Sequence, residues 1–384
     1  MKDAAAARLD ALLVFVHRAA RVLPALTAEN AAAERARLID EVARGGAPEA
    51  RFVYAARRTE PNVREALEAA RALAPSSPAA ALYLARLDEL ELELGILDAI
   101  GSAERVRPLA AERYGTGAMR TTTRDGREVT IAEVARAMLS APVTAPEAHT
   151  LPAEDARGGR SAAGIVRDVA RAAGLEVTVR VEPKLAAGAA SGERSVLLAA
   201  RSFGEREALR IAVHEVLGHL TSAANARSQP LRLLDVGTAG SFGDQEGVAL
   251  ALEEQAGVLD ATRARILAAR VLATDAMHEG VPFGECAQTL AREHGLSPND
   301  AVAISERAYR GGGVARDASY LHGWLAVRGA LERREATLDE LRMGRVGVAD
   351  LAALRALVAD GVLRPSRCCP SVDTVLRACQ SICP

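Results

Sequence analysis

Ala, Leu and Glu recur at three- and four-residue intervals through the first hundred residues. That period predicts helices over roughly 4–22, 29–44, 62–74 and 78–100. Pro75, Ser76, Ser77 and Pro78 separate the last two, as Pro and Ser clusters do between helices. The stretch 140–160, APVTAPEAHTLPAEDARGGR, is rich in Pro and Gly and reads either as a linker or as a long surface loop. A short helix is expected near 161–173. Leu175, Val177, Val179 and Val181 then alternate with polar residues, which predicts a half-buried strand over 175–183. SVLLAA (195–200) is a second strand, with Ser191 and Gly192 in the turn region between them. The period then reverts to that of a helix. Ser202 and Glu205 have the spacing of a capping box, opening a helix through ALRIAVHEVLGHL. Further helices are predicted over 245–259, 262–277, 298–309, 317–341, 347–360 and 371–382. The chain is thus α+β and predominantly helical, with an N-terminal helical region over 1–150 and a second region over 151–384 that is either separate or continuous with it.

Composition narrows the classes. In 384 residues, 49% are apolar and only 3% aromatic, so a large core must be built from Ala, Leu and Val. All but two of the 48 basic residues are arginine, the exceptions being Lys2 and Lys184. The formal charge is −2 with acidic and basic residues interspersed, which argues against a nucleic-acid partner and against a polybasic membrane anchor. No apolar run reaches the ~18 residues of a membrane span. Asp3, Arg8, Asp10 and His17 interrupt what would be the apolar segment of a signal peptide, so the start of the chain reads as an amphipathic helix and the location as cytoplasmic, with thiols reduced. Cys368, Cys369, Cys379 and Cys383 crowd the last seventeen residues. Cys379 and Cys383 have workable ligand spacing, whereas adjacent Cys368 and Cys369 diverge. A structural zinc competes here with buried or redox-active thiols.

The chemistry concentrates in His214-Glu215-Val216-Leu217-Gly218-His219. Two histidines four apart on a helix share one face and can hold one zinc ion, with Glu beside the first as a base. Here they are five apart, which on a regular helix leaves the rings about 140° apart. A π-bulge inserts one residue and realigns i with i+5, and Gly218 offers a permissive backbone for it. Against this stands a pair of ordinary, satisfied core histidines. Twenty-seven residues after His219 comes Glu246, in the first turn of a helix that Asp244 would cap. Two imidazoles, one carboxylate and an open position make a catalytic zinc set; the competing reading of Glu246 is an exposed acid near a helix N-terminus. Two strands feeding such a helix form the layout of a zincin-like core, a small sheet beside an HExxxH helix.

HEVLGH, followed by QPLRLLDVGTAG and QEGVA, resembles the QEGLA-motif bacterial proteins, of the type named for modulating flavohaemoglobin expression. These are relatives of the microtubule-associated tyrosine carboxypeptidases, which remove the terminal Tyr of α-tubulin. Phe52-Val53-Tyr54, Glu89-Leu90, Tyr114-Gly115, Arg310-Gly311-Gly312, Arg316-Asp317, Tyr320-Leu321-His322-Gly323 and the segment 343–365 extend the resemblance over most of the chain. It implies one catalytic Zn²⁺ on His214, His219 and Glu246, with Glu215 as general base. The family usually has Gly two positions before the second histidine, where this chain has Leu217; Val248 replaces the Leu of QEGLA, and Arg316 replaces a Lys.

Zinc lowers the pKa of a coordinated water to about 7, and a neighbouring carboxylate can then relay its proton to the leaving amine. Tyr320 is the candidate donor to the oxyanion, with Arg310 and His322 behind it; the alternative for Tyr320 is a core aromatic beside Trp324. Arg310 and Arg316 are candidates for binding a substrate carboxylate, against solvated charges in a chain rich in arginine, and His322 is a further substrate-binding candidate. Gly311–Gly313 lacks the strand context of a phosphate-binding loop, which argues against nucleotide binding. SVLLAA would pair with an extended peptide if it lay at a sheet edge. The expectation is a zinc metallopeptidase, a carboxypeptidase-like hydrolase, acting on a peptide or protein with an accessible C-terminus. The alternatives are a regulatory or scaffold protein without turnover and an endopeptidase maturing a small peptide. Substrate identity and oligomeric state are not encoded in any motif.

Overall fold

The computed structural model describes residues 2–123, 125–142, 149–155, 157–183, 185 and 187–382. The chain is predominantly helical with small sheets, the α+β class that the periodicities predict. It forms two compact units. One comprises Met1–Pro142 with Thr262–His322, the other Val143–Ala261 with Gly323–Pro384. The expected linker, 140–160, falls in part on residues outside those described.

In the first unit, helices Lys2–Ala19, Ala31–Ala43, Pro61–Leu73 and Ala80–Ala99 lie where the spacing predicts them. Helices Ala103–Tyr114 and Ile131–Leu139 follow, with a hairpin of β1 (Arg120–Thr122) and β2 (Glu128–Thr130) between them. The later segment joins these helices through helices Phe283–Arg292 and Pro298–Tyr309. Phe283, Ala287 and Val302 form one buried cluster with Leu38 and Val42, and each large side chain so buried contributes about 1.5–3 kcal/mol. Ser297 caps the second of these helices, its hydroxyl accepting from the Asp300 N–H at 3.1 Å, with Pro298 pre-set at the first helical position.

The second unit carries a two-stranded pair, β3 (Thr150–Leu151) with β7 (Phe203–Gly204), and a three-stranded sheet of β4 (Thr178–Glu182), β5 (Ala189–Ser191) and β6 (Ser195–Ala199) in the order β4-β6-β5. Val179, Val196 and Leu198 point inward, as alternation requires. Two expectations change here. Ser191 belongs to a strand, not a turn. And β6, which holds SVLLAA, is the central strand, parallel to β4 and antiparallel to β5. Both of its edges are hydrogen-bonded within the chain, so it cannot take a substrate strand.

The helix Glu205–Ala212 begins after Gly204, and no side chain caps it. The chain runs extended through β7 first, which removes Ser202 from the helix mouth; the expected capping box does not form. The helix Ser241–Gln255 likewise starts earlier than expected, capped by Gly240 in the left-handed region (φ 72°). Asp244 is therefore inside the helix, its carboxylate accepting from the Val348 N–H at 2.7 Å, and Glu246 sits in the second turn. The predicted helix 317–341 is two, Ala318–Glu332 and Leu338–Leu341. Helices Leu351–Ala359 and Val372–Ile382 complete the chain. No helix among the described residues is long and apolar enough to cross a membrane.

Candidate metal centre

Residues Val213–Leu220 form a π-helix that carries the whole of HEVLGH between two α-helical flanks, Glu205–Ala212 and Thr221–Arg227. The wider turn does what five-residue spacing requires: the Nε2 atoms of His214 and His219 are 3.2 Å apart, with the ring planes at 78°. Returning from a π to an α ladder disturbs the pairing of backbone carbonyls, and side chains supply donors there. The Thr221 hydroxyl donates to the Val216 carbonyl at 3.0 Å, Arg342 Nη1 to Leu217 at 3.3 Å, and the Ser222 hydroxyl to Gly218 at 3.0 Å. Gly218 serves differently from the expectation. Its φ is not positive, and a side chain there would meet Ala249 Cβ at 2.9 Å and Cα at 3.2 Å. Its bareness lets the π-helix approach the helix that bears Glu246.

The second motif divides its labour. Gln245 is buried, and its amide nitrogen donates to the carbonyls of Leu341 and Val346, each at 3.0 Å. Gly247 lies where the helix Ala318–Glu332 crosses, so that any Cβ would overlap the Gly323 carbonyl; Gly323 in turn abuts the Gly243 carbonyl. Between them Glu246 projects Oε2 to 3.4 Å from His214 Nε2 and 3.8 Å from His219 Nε2. Bonds of about 2.0–2.1 Å at the tetrahedral angle separate neighbouring donors by about 3.3 Å. A triangle of 3.2, 3.4 and 3.8 Å is thus close to that needed to hold one zinc-like ion with a fourth position left over. Among the described residues, these three alone form such a donor group.

Behind the triangle stands Glu253, a residue not singled out in the sequence. It is wholly buried, and its Oε1 accepts from His214 Nδ1–H at 2.7 Å. That bond fixes the tautomer, turning the other ring nitrogen, Nε2, toward His219 and Glu246. Seven positions after Glu246, it lies on the same helix face. Burial works against a charge on His214, but Glu246 and Glu253, with Glu215, more than offset it and raise the imidazole to about 10. His219 moves the other way, lowered chiefly by burial, with His214 and Arg345 adding to the effect against the pull of Glu246 and Glu215. Glu215 is buried beside the first histidine, and its charge is felt at both rings.

A model of the microtubule-associated tyrosine carboxypeptidase family matches residues 44–382. The chain belongs to that family. Membership makes it carboxypeptidase-like, with a peptide or protein as substrate. The comparison with curated proteins gives no match.

Within this family member, Arg310, Arg316, Tyr320 and His322 lie in the first unit. Arg310 ends the helix Pro298–Tyr309, and the three glycines after it all have positive φ, 67°, 95° and 125°. They form a tight turn, tied down by the Gly101 N–H on the Gly311 carbonyl at 2.8 Å and by Arg107 Nε on the Gly312 carbonyl at 3.3 Å. Arg316 stacks over Tyr114 with its guanidinium carbon 5.4 Å from the ring centre. Tyr320 faces Arg270, 5.9 Å away, and hydrogen-bonds Arg307. His322 bonds the backbone of Arg120, and burial lowers its pKa. In the second unit, the backbone of Cys368 is docked by Asn225, whose oxygen accepts from its N–H at 2.9 Å. Cys368, Cys369 and Cys379 are free thiols and join no metal group among the described residues; Cys383 lies outside them.

Proposed function

We propose that the chain is a zinc metallopeptidase of carboxypeptidase type, with His214, His219 and Glu246 as ligands and Glu215 as general base. The observation that carries this reading is the convergence of three donors at near-tetrahedral separations, one of them braced by a buried carboxylate. Zinc held there would supply Lewis acidity, bringing the ionisation of water toward neutral pH.

The chain's own residues account for the rest. Glu215 takes the proton of the attacking water on its carboxylate and passes it to the departing amine, which leaves as a neutral group. Glu253 holds the Nδ1 proton of His214, so the ligand nitrogen stays basic and correctly aimed. Tyr320 keeps its proposed role as a donor to the oxyanion, and Arg310, Arg316 and His322 as groups recognising the substrate. The location proposed with this activity is cytoplasmic.

Elemental analysis of purified protein, alongside a Glu215→Gln variant, tests the proposal on peptides with varied C-termini. One equivalent of zinc, with release of C-terminal residues that the variant loses, is the expected result. Stoichiometric zinc without cleavage of any peptide would favour a regulatory protein instead, and internal cleavage an endopeptidase.

A further inference from the structure

The end of the π turn singles out one carbonyl. A π ladder joins each carbonyl to the N–H five residues ahead, an α ladder to the one four ahead. The Thr221 N–H still reaches five back, to Val216, and also meets the Gly218 carbonyl. The α-helix Thr221–Arg227 takes over there. An α ladder resuming at the next N–H, that of Ser222, reaches four back to Gly218, and Leu217 is passed over. Leu217 is wholly buried, so water does not serve its carbonyl, and a buried acceptor left unmatched keeps its full desolvation cost. The donor that meets it is Arg342 Nη1, at 3.3 Å.

Arg342 is an unusual donor. It is 2% exposed, and its carboxylate neighbour, Asp339, stands 3.7 Å off at the surface. Its closer bonds run to backbone carbonyls of separate segments: Nε to Leu338 at 3.3 Å, Nη1 to Leu217 at 3.3 Å and to Pro370 at 3.2 Å. An apolar side chain of similar volume usually serves stability better than a buried charge, so packing alone is a weak reason for a guanidinium here. Its planar fork instead holds donors in fixed directions, which suits carbonyls arriving from several sides. Asn225, on the helix that continues from the π turn, fixes the frame: its amide nitrogen donates to the carbonyls of Arg342 at 2.8 Å and Cys368 at 2.7 Å. In a regular α register the Leu217 carbonyl would take the Thr221 N–H, and the two histidines would stand about 140° apart. The π register forgoes that bond, and Arg342 replaces it.

We propose that Arg342 is a positioning residue for the metal centre: by donating to the Leu217 carbonyl it holds the π register, and with it the convergence of His214 and His219. It acts through the backbone between the two histidines. The importance of that convergence rests on the metallopeptidase reading; the hold of Arg342 on the turn does not.

Two measurements on the full chain test this: hydrogen–deuterium exchange of peptides covering 213–227 in EDTA, and competition for zinc against a chromogenic chelator. Arg342→Met removes the donors and keeps most of the volume. Gln229→Leu is the control, since Gln229 Nε2 donates to the carbonyls of Met343 at 3.3 Å and Arg364 at 2.8 Å, in the same layer but away from the π turn. Arg342→Met is expected to speed exchange in the π turn at least ~10-fold and to weaken zinc binding at least ~10-fold. Gln229→Leu should leave both within about twofold of the parent, even where it lowers the melting temperature as much. Should Arg342→Met not fold, Arg342→Gln, with an amide of shorter reach, is read in the same way. Exchange in the turn within about twofold of the parent overturns the proposal, as does faster exchange with zinc affinity unchanged. Equal effects from both substitutions at equal loss of stability overturn it too. A parent that binds no zinc, with exchange in the turn raised only by the Arg342 substitution, would count against the metallopeptidase reading and uphold the hold of Arg342 on the turn.

Discussion

Replacing Glu253 by Gln removes one negative charge and almost no volume. The amide oxygen can still accept from His214 Nδ1–H, now 2.7 Å from the carboxylate, so the ring keeps its orientation. What disappears is the charge assistance, which roughly doubles the strength of such a bond. Removing an outer partner of a ligand histidine typically weakens metal affinity about 10–100-fold, or about 1.4–2.7 kcal/mol. Arg210 Nη1 lies 3.9 Å from the same oxygen, and its Nη2 keeps Glu207 as an ion partner at 3.7 Å. The expected loss is therefore about 10–100-fold. Competition for zinc against a chromogenic chelator measures it directly, with circular dichroism to show that the fold is intact. If Glu253→Gln binds zinc within twofold of the parent while Glu246→Gln does not, the account of His214 as a ligand oriented from behind is wrong.

Other expectations follow from the packing around the same site and from the ion pair of Arg307 with Asp317. Gly247→Ala forces apart two helices that touch at Gly323, at a cost of about 1–3 kcal/mol or more; both the melting temperature and zinc affinity should fall, since Glu246 is its neighbour. Gly218→Ala should act in the same direction, since its Cβ would meet Ala249 Cβ at 2.9 Å and Cα at 3.2 Å. Gln245→Leu leaves the carbonyls of Leu341 and Val346 without their donor, costing about 1–3 kcal/mol for each, read as a lower urea midpoint. Burial opposes the charge on Asp317, but Arg307 holds its carboxyl well below the usual carboxylate range. Its contribution is thus complete above the unfolded value of about 4 and is lost as the pH falls below it. Asp317→Asn should lower stability at pH 7 and flatten its decline below about pH 4, measured by denaturant melts across pH.

Much of the centre is legible along the chain. Five-residue spacing between histidines has few solutions on a helix, so His214 and His219 by themselves point to the π turn that the structure contains. Long periodic helices such as Ala80–Ala99 announce themselves as well. Glu253 does not: beside Glu254 near a helix end it looks like solvated charge, and its burial comes from the packing around it. Helix starts at Gly204 and Gly240 are obscured because the more obvious caps, Ser202 and Asp244, stand two and four positions away. The strand Ala189–Ser191 has no apolar alternation, and pairing with β6 alone defines it. No hydropathy signal says that residues 262–322 pack with the N-terminal helices; that depends on contacts such as Phe283 with Leu38, remote in sequence. Arg342 is hidden for a simpler reason, one arginine among many.

The π turn has a consequence for how such chains are compared. Because the extra residue is absorbed locally, Glu205–Ala212 and Thr221–Arg227 keep the phase that they would have around a motif one residue shorter. Removing Leu217 in silico yields His-Glu-Val-Gly-His, the familiar four-step pattern, with both flanks in step. Alignments that include this chain should therefore be anchored on both histidines, with a single-residue gap placed between them. A search keyed to fixed four-step spacing passes over chains that absorb the extra residue in this way.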